Sequence, residues 1–370
     1  MTNRVFIGLS LVFLSNCILA QDVATPEKNT GFIVEQINTA SPVKNQGSTG
    51  TCWAFSTTSL VESQLLKADA SPADVSEMFT VRNIYLEKAR NYLLRQAKTQ
   101  FGEGGLGHDV IRAINNNGAM PEAAYPFTQK AGGDAFVARL KNYLDSLLKK
   151  QPIAEDWQKG YEAILDETMG KPAENFEYKG KNFTAQSYAK EVLHFNADDY
   201  VNLTSFTHHP YYKAFVLEQP DNFSNGEYYN LPLNEFEDAV KQAIDKGYTI
   251  MWDADVSNKG FRQQTGLAMN VSATIGSTFE PDMKEDPADA SIRQQLFENL
   301  TTQDDHLMHL TGMVKSKSGK TFFVVKNSWG NIGPLNGYIN VSEAYFKINT
   351  ISLVVPKASL NSALLAKLNM

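Results

Sequence analysis

Only two cysteines, Cys17 and Cys52, occur in 370 residues, and Cys17 lies inside an apolar N-terminal run. A chain left with one thiol has no disulfide to staple it, so its fold must be held by buried apolar surface. With 42% hydrophobic and 20% charged side chains, this chain has material for a substantial core, or for one domain carrying a large insertion. A formal charge of −7, with no basic stripe, disfavours nucleic acid or an anionic membrane surface as partner. One cysteine makes a poor metal site. Around His108, His194 and the pair His208-His209 no ligand spacing completes one, so neither metal nor cofactor is expected.

Residues 1–20 read as a secretory signal: Arg4 gives a positive start, residues 5–20 are mostly apolar, and small residues precede a cut after Ala20. The segment is too short and too weakly flanked for a stable membrane span. An uncleaved anchor or a buried first strand are its other readings. Lipid attachment at Cys17 would tether the protein, but Asn16 before it and Ile18-Leu19 after it suit that poorly. The expectation is an exported protein, periplasmic or extracellular, whose remaining free thiol is a liability there unless it is used.

Around Cys52 runs Gln46-Gly-Ser-Thr-Gly-Thr-Cys52-Trp53. Gly47 and Gly50 allow a tight backbone, Ser48, Thr49 and Thr51 are capping types, and residues 53–66 place apolar side chains at helical spacing. Cys52 therefore falls at the N-terminus of a buried helix, where free N–H groups and the macrodipole favour thiolate. Gln46 offers an amide that, with the Cys52 N–H, would hold an oxyanion. The bland reading is that Cys52 is a small buried hydrophobe.

Far downstream, Asp304-Asp305-His306 opens an apolar run, and a turn at residues 315–320 leads into Thr321-Phe-Phe-Val-Val-Lys326 and then Asn327-Ser328-Trp329-Gly330. These read as a hairpin that sets His306 beside Asn327. An imidazole would accept a thiol proton, an amide oxygen would fix its tautomer, and Trp329 would roof the bond. His309 lies three residues on and so on the opposite strand face, which makes it structural. Taken singly, each of these groups has an ordinary structural role.

Taken together and in this order, Gln46, Cys52-Trp53, Asp305-His306 and Lys326-Asn327-Ser328-Trp329-Gly330 resemble the papain-like cysteine peptidases. The resemblance implies that Cys52 is the nucleophile, His306 the general base and acid, Asn327 the orienting residue and Gln46 the oxyanion donor. Glu103-Gly104-Gly105 resembles the family's glycine pair, so Gly104 and Gly105 would bind substrate main chain as an added strand. The implied fold is α+β, with a helical half carrying Cys52, a β-rich half carrying His306 and Asn327, and a cleft between them.

Two departures narrow the resemblance. In that family the histidine and asparagine follow the cysteine by roughly 130–150 residues; here the separations are 254 (306 − 52) and 275 (327 − 52). The excess matches residues 128–233, whose runs at 135–148 and 157–169 read as helices, giving a helical insertion or else a separate domain. Only 31 residues (51 − 20) separate the predicted cut from Cys52, too few for a long inhibitory prosegment. An insertion without a prosegment resembles the bleomycin hydrolase and aminopeptidase C branch, as do Val75-Ser76-Glu77-Met78 and the stretch from Arg293 to His306. That branch implies an aminopeptidase whose C-terminus lies in the cleft, although an endopeptidase or a catalytically silent peptide-binding relative stays open. The tail here, residues 356–370, reads instead as a short amphipathic helix with Leu360, Leu364, Leu365 and Leu368 on one side. The partner implied is a peptide or protein substrate; the branch also brings the option of a homo-oligomer, which no residue here demands. Further helices are expected at 77–99, 107–116 and 236–244, and the first strand of the β half at 248–252.

Overall fold

The computed structural model describes residues 31–150, 152–271 and 279–370, so the segment read as a signal peptide, with Cys17, lies outside the described residues. Its organising element is the helix Cys52–Lys67, buried at every position from Cys52 to Ser63 and again at Leu65. A helix without an exposed face must be covered all round. The helices Glu77–Leu94 and Gly107–Asn117 cover one side, sharing with it a core that includes Trp53, Phe55, Leu60, Tyr85 and Val110. The Glu77–Leu94 helix starts where predicted, with the Ser76 hydroxyl accepting from Phe79 N at 3.1 Å. It stops earlier, because Gln96 and Ala97 turn into the left-handed region at φ 52° and 62°.

The other side of the Cys52–Lys67 helix meets a sheet. Among the described residues eleven strands form it, with Ile250–Ala254 between Thr350–Pro356 and His306–Lys315, then Thr321–Lys326 and Tyr338–Ser342. Strand alternation sorts the two faces. Met251, Leu307 and Val354 point into the helical core, whereas Ile250, Trp252, Met308, Leu353 and Val355 point into a second core. Phe236, Val240, Ala243 and Ile244 of the helix Leu233–Asp245 close that second core. The hairpin of His306–Lys315 and Thr321–Lys326 forms as predicted, pairing His309 with Lys326. The strand expected at 248–252 sits two residues later.

The stretch 128–233 divides in two, which corrects the expectation of a helical insertion. Its first half is helical, in Asp134–Leu148, Trp157–Met169 and Ala185–Glu191. Phe136, Leu140, Tyr161 and Leu165 join the same core as the cysteine helix, which removes the separate-domain reading. Its second half supplies Tyr200–Thr204, Ala214–Val216 and Glu227–Asn230 to one edge of the main sheet. Three- to five-residue strands carry too few positions for a two-residue period to stand out in sequence.

The C-terminal tail forms the helix Ser362–Lys367, capped by Asn361, whose side chain accepts from Leu364 N at 2.8 Å. Leu360, Leu364 and Leu368 are buried in the second core, across the sheet from Cys52. Lys246 Nζ donates to Ser359 O at 2.8 Å, and Lys367 pairs with Glu235 at 2.9 Å on the surface, where such a pair contributes little. Burial therefore holds the tail. Leu364→Ala should lower the unfolding free energy by about 2–3 kcal/mol in urea titration; a loss below about 0.5 kcal/mol would mean that the tail only rests on the surface.

Candidate active site

The helix begins at Cys52, with Thr51 as N-cap. Thr51 does not cap with its side chain; its hydroxyl lies 2.6 Å from that of Thr49, which in turn donates to Gln46 O at 2.7 Å. These bonds fold residues 46–51 tightly before the helix. Gly47 there takes φ 63°, a conformation that glycine adopts without strain. The segment is also tied to the β half: Gln46 N donates to Ser328 O at 2.9 Å, and Asn45 bridges to Trp329. The Gln46 side chain is held at both ends, its oxygen accepting from Ser328 Oγ at 2.6 Å and its Nε2 donating to Thr49 O at 2.7 Å. One Nε2 hydrogen stays available for an incoming oxyanion.

His306 opens its strand and Asn327 follows the partner strand, so the hairpin register places the two side by side. His306 Nε2 lies 2.8 Å from Asn327 Oδ1. An amide oxygen only accepts, so Nε2 carries the hydrogen and Nδ1 holds the lone pair. Ser328 N also donates to Asn327 Oδ1 at 2.7 Å, and Asn327 Nδ2 donates to Gln263 Oε1 at 3.0 Å, which fixes the amide's orientation. Trp329 stacks on the imidazole with ring centroids 4.6 Å apart and planes 28° apart, covering the bond as predicted. Gln263 was not foreseen. It comes from a short turn at Gln263–Thr265, and no motif or spacing in the chain points to it.

His309 takes the structural role predicted for it. Its Nδ1 lies 2.8 Å from Ser59 Oγ, two turns along the cysteine helix, and Lys326 Nζ donates to the same hydroxyl at 2.7 Å. Burial, and then the Lys326 charge, hold the His309 pKa well below the usual histidine range.

Burial also decides the charge state of the reactive groups. It pushes the Cys52 thiol up to about 12; a backbone hydrogen bond from Leu307 opposes this, and the negative charges of Asp304, Asp253 and Asp221 add to it. The thiolate preference expected from the helix N-terminus is thus outweighed in the resting site, because an apolar surround penalises the charged form more than the macrodipole favours it. His306 is lowered to about 4, again by burial first, with Asn327 and Asp305 opposing. Burial thus works against charge on both groups.

Below the site, Asp253 is fully buried and accepts from Ser352 Oγ at 2.9 Å. Burial raises the pKa values of Asp253 and Asp304; the charges of Asp221 and Asp305 add to the rise at Asp253, and those of Asp253 and Asp221 add to it at Asp304. Asp253 Oδ1 and Asp304 Oδ2 are both buried without a hydrogen-bond partner among the described residues. Asp305 instead turns outward and accepts from Ser257 N at 2.8 Å.

The glycine pair lies beside the helix start. A Cβ on Gly105 would come within 2.9 Å of the Trp53 indole, and one on Gly104 within 1.8 Å of Asp221 Oδ2. The predicted edge for substrate main chain is therefore covered at Gly104, whose carbonyl is also taken by Lys88 Nζ. The expected absence of a metal-ligand set needs amending as well. His208 Nε2 and His209 Nε2 lie 3.3 and 3.1 Å from the Glu218 carboxylate, and the three ligand atoms lie within 4.8 Å of one another. Glu218 joins them only through the fold. Among the described residues no helix is long and apolar enough to cross a membrane.

Comparison with known proteins agrees with this geometry. The model of the Peptidase C1-like family matches residues 14–370. Aminopeptidase G of Lactobacillus delbrueckii subsp. lactis is 25% identical over 90% of this chain and 85% of its own length. Bleomycin hydrolase of Mus musculus is 24% identical over 88% of this chain and 82% of its own. The solved structure of PepW from Lactobacillus rhamnosis HN001 superposes with a TM-score of 0.69 at 18% identity, covering 93% of this chain and 84% of that one, which shows the shared α+β papain-like fold. The lowered pKa of His306 sets the acid limb of the reaction it would serve. The imidazole is a competent base above about pH 4 and is lost by protonation below it, so kcat/KM should fall with a midpoint near pH 4. A midpoint near the ordinary histidine value of about 6.5 would contradict the buried, neutral imidazole.

Proposed function

The chain belongs to the Peptidase C1-like family, and on that footing we propose that it is an exported aminopeptidase that hydrolyses peptide bonds through a thioester on Cys52. The Cys52 sulfur attacks the carbonyl carbon while its proton passes to His306 Nδ1, the ring nitrogen left free by the bond to Asn327. The oxyanion is held by the Cys52 N–H and Gln46 Nε2. His306 returns the proton to the leaving amine; a water then attacks the thioester and gives its proton to His306, and as the carbon–sulfur bond breaks and the acid leaves, His306 passes that proton back to the Cys52 sulfur. Because burial disfavours charge on both thiol and imidazole, proton transfer accompanies attack, and Asn327 keeps the imidazole in register throughout.

One observation carries the exopeptidase part of the reading: the glycine pair on the upstream side of the thiol is covered at Gly104 by the Asp221 carboxylate. A peptide extended past the first residue would need that space. The names of the relatives, aminopeptidases C and G, point the same way. Leu360, Leu364 and Leu368 pack across the sheet from Cys52, so the reading rests on Asp221 rather than on residues 360–368.

Cys52→Ala should abolish hydrolysis of aminoacyl fluorogenic substrates, by about 10^4-fold or more, with the thermal midpoint retained. Unchanged turnover would remove Cys52 from the chemistry, and equal cleavage of amino-blocked peptides would make the protein an endopeptidase. Export predicts that the mature protein begins at Gln21; N-terminal sequencing that finds Met1 on the exported protein would refute cleavage after Ala20.

A further inference from the structure

Residues 217–226 cross from the insertion to the glycine pair and are fastened at several points. Within the loop, Asn222 Nδ2 donates to Leu217 O and Gly226 O, both at 3.0 Å, and its oxygen accepts from Gly226 N at 2.7 Å. Beneath it, Ser224 Oγ donates to the buried Asp109 Oδ1 at 2.9 Å and lies 3.0 Å from His108 Nε2. Arg112 pairs with Asp109 at 2.8 Å and donates to Ser224 Oγ at 3.1 Å. A Cβ on Gly226 would stand 2.2 Å from His108 Nε2, so the loop touches this base with no room to spare. The result is a carboxylate, Asp221, held in place before any ligand arrives.

We propose that Asp221 receives the substrate's N-terminal ammonium and thereby sets the number of residues accepted upstream of the scissile bond at one; this rests on the aminopeptidase reading above. The α-nitrogen of a first residue lies about 2.5 Å from the carbon that Cys52 attacks, as two bonds of about 1.5 Å dictate. The amine of a bound substrate therefore projects from the thiol toward the glycine pair, where the Asp221 carboxylate lies against Gly104. Asp221 has no ion-pair partner among the described residues. Its Oδ1 accepts from Gln100 Nε2 at 3.2 Å, and the neighbouring Lys88, whose charge also acts on Asp221, donates to the carbonyls of Gly102 and Gly104. The buried Asp253 and Asp304, with their unpartnered Oδ1 and Oδ2, interact electrostatically with Asp221 and Cys52 alike. Among the described residues the carboxyls beside the thiol therefore outnumber the cations, Lys88 being held on the Gly102 and Gly104 carbonyls. A free α-ammonium supplies one, while an acylated nitrogen lacks the charge and needs the occupied space. The carboxylate that meets the amine here comes from the insertion.

The test compares alanyl, propionyl and N-acetyl-alanyl derivatives of one fluorogenic amine, the propionyl compound being alanyl without its nitrogen. The wild type should favour alanyl over propionyl in kcat/KM, and Asp221→Asn should cut that ratio by about 10- to 100-fold, chiefly through KM. Asp221→Glu, which keeps the charge, should restore much of the preference, and Asp221→Gly should raise turnover of the N-acetyl compound. Labelling of Cys52 by a thiol-directed epoxide in each variant confirms an intact site. A ratio unmoved in Asp221→Asn while the wild type remains an active aminopeptidase overturns the assignment of Asp221 alone. Faster alanyl turnover in that variant overturns it too, making Asp221 a self-inhibitory plug. A wild type that cleaves none of the three, or the N-acetyl compound as readily as the alanyl, overturns the aminopeptidase reading and the assignment with it.

Discussion

The contact on which everything else depends is the packing of the Cys52–Lys67 helix against the strand His306–Lys315. Neither element positions a reactive group alone. The helix delivers a thiol at its first residue, and the strand delivers an imidazole at its first residue, so both lie at the same end of one interface. Along it, Leu307 enters the helical core and His309 meets Ser59. Lys326, fully buried with its pKa lowered to about 8, reaches Ser59 and Ser41 from the adjoining strand. Buried polar groups of this kind favour one registration, because a slip would leave a lysine and a histidine without partners in a dry site. The same registration sets His306 on Asn327 and brings the backbone of Leu307 onto the Cys52 thiol.

The electrostatics of the site follow from depth. Burial disfavours charge on both the thiol and the imidazole, and three carboxyl groups add negative potential beside the thiol. Such a surround suits a reaction that begins and ends neutral and recognises a cationic substrate end. It also separates the work of two sheet faces. The face toward the cysteine helix carries the chemistry, while the opposite face, under the helix Leu233–Asp245, is sealed by the C-terminal tail and serves stability.

Much of the site was legible from residue type and order. Cys52 after Gln46, His306 after paired aspartates, and Asn327 before Ser328-Trp329 each carry a chemical signature that survives without coordinates. The hairpin was legible because two apolar runs flank a polar turn. The second half of the insertion was not, since its strands are short and take their place only by pairing with Thr350–Pro356 and with one another. The grouping of His208 and His209 with Glu218 was not legible because Glu218 stands nine positions beyond His209, a spacing with no motif. Gln263 and Asp221 were missed for the same reason: each acts through one contact with a residue 64 or 117 positions away (327 − 263; 221 − 104).

The sequence by itself determined that this chain holds one described thiol at the head of a buried helix, with a histidine and an asparagine on a downstream hairpin to serve it. Local periodicity and side-chain chemistry suffice for that, because each motif is contiguous. Only the tertiary structure decided the desolvation of the thiol, the burial of the tail across the sheet and the presence of a carboxylate on the glycine pair. Those depend on desolvation and on contacts between segments far apart in the chain, and neither is encoded in any single stretch of residues.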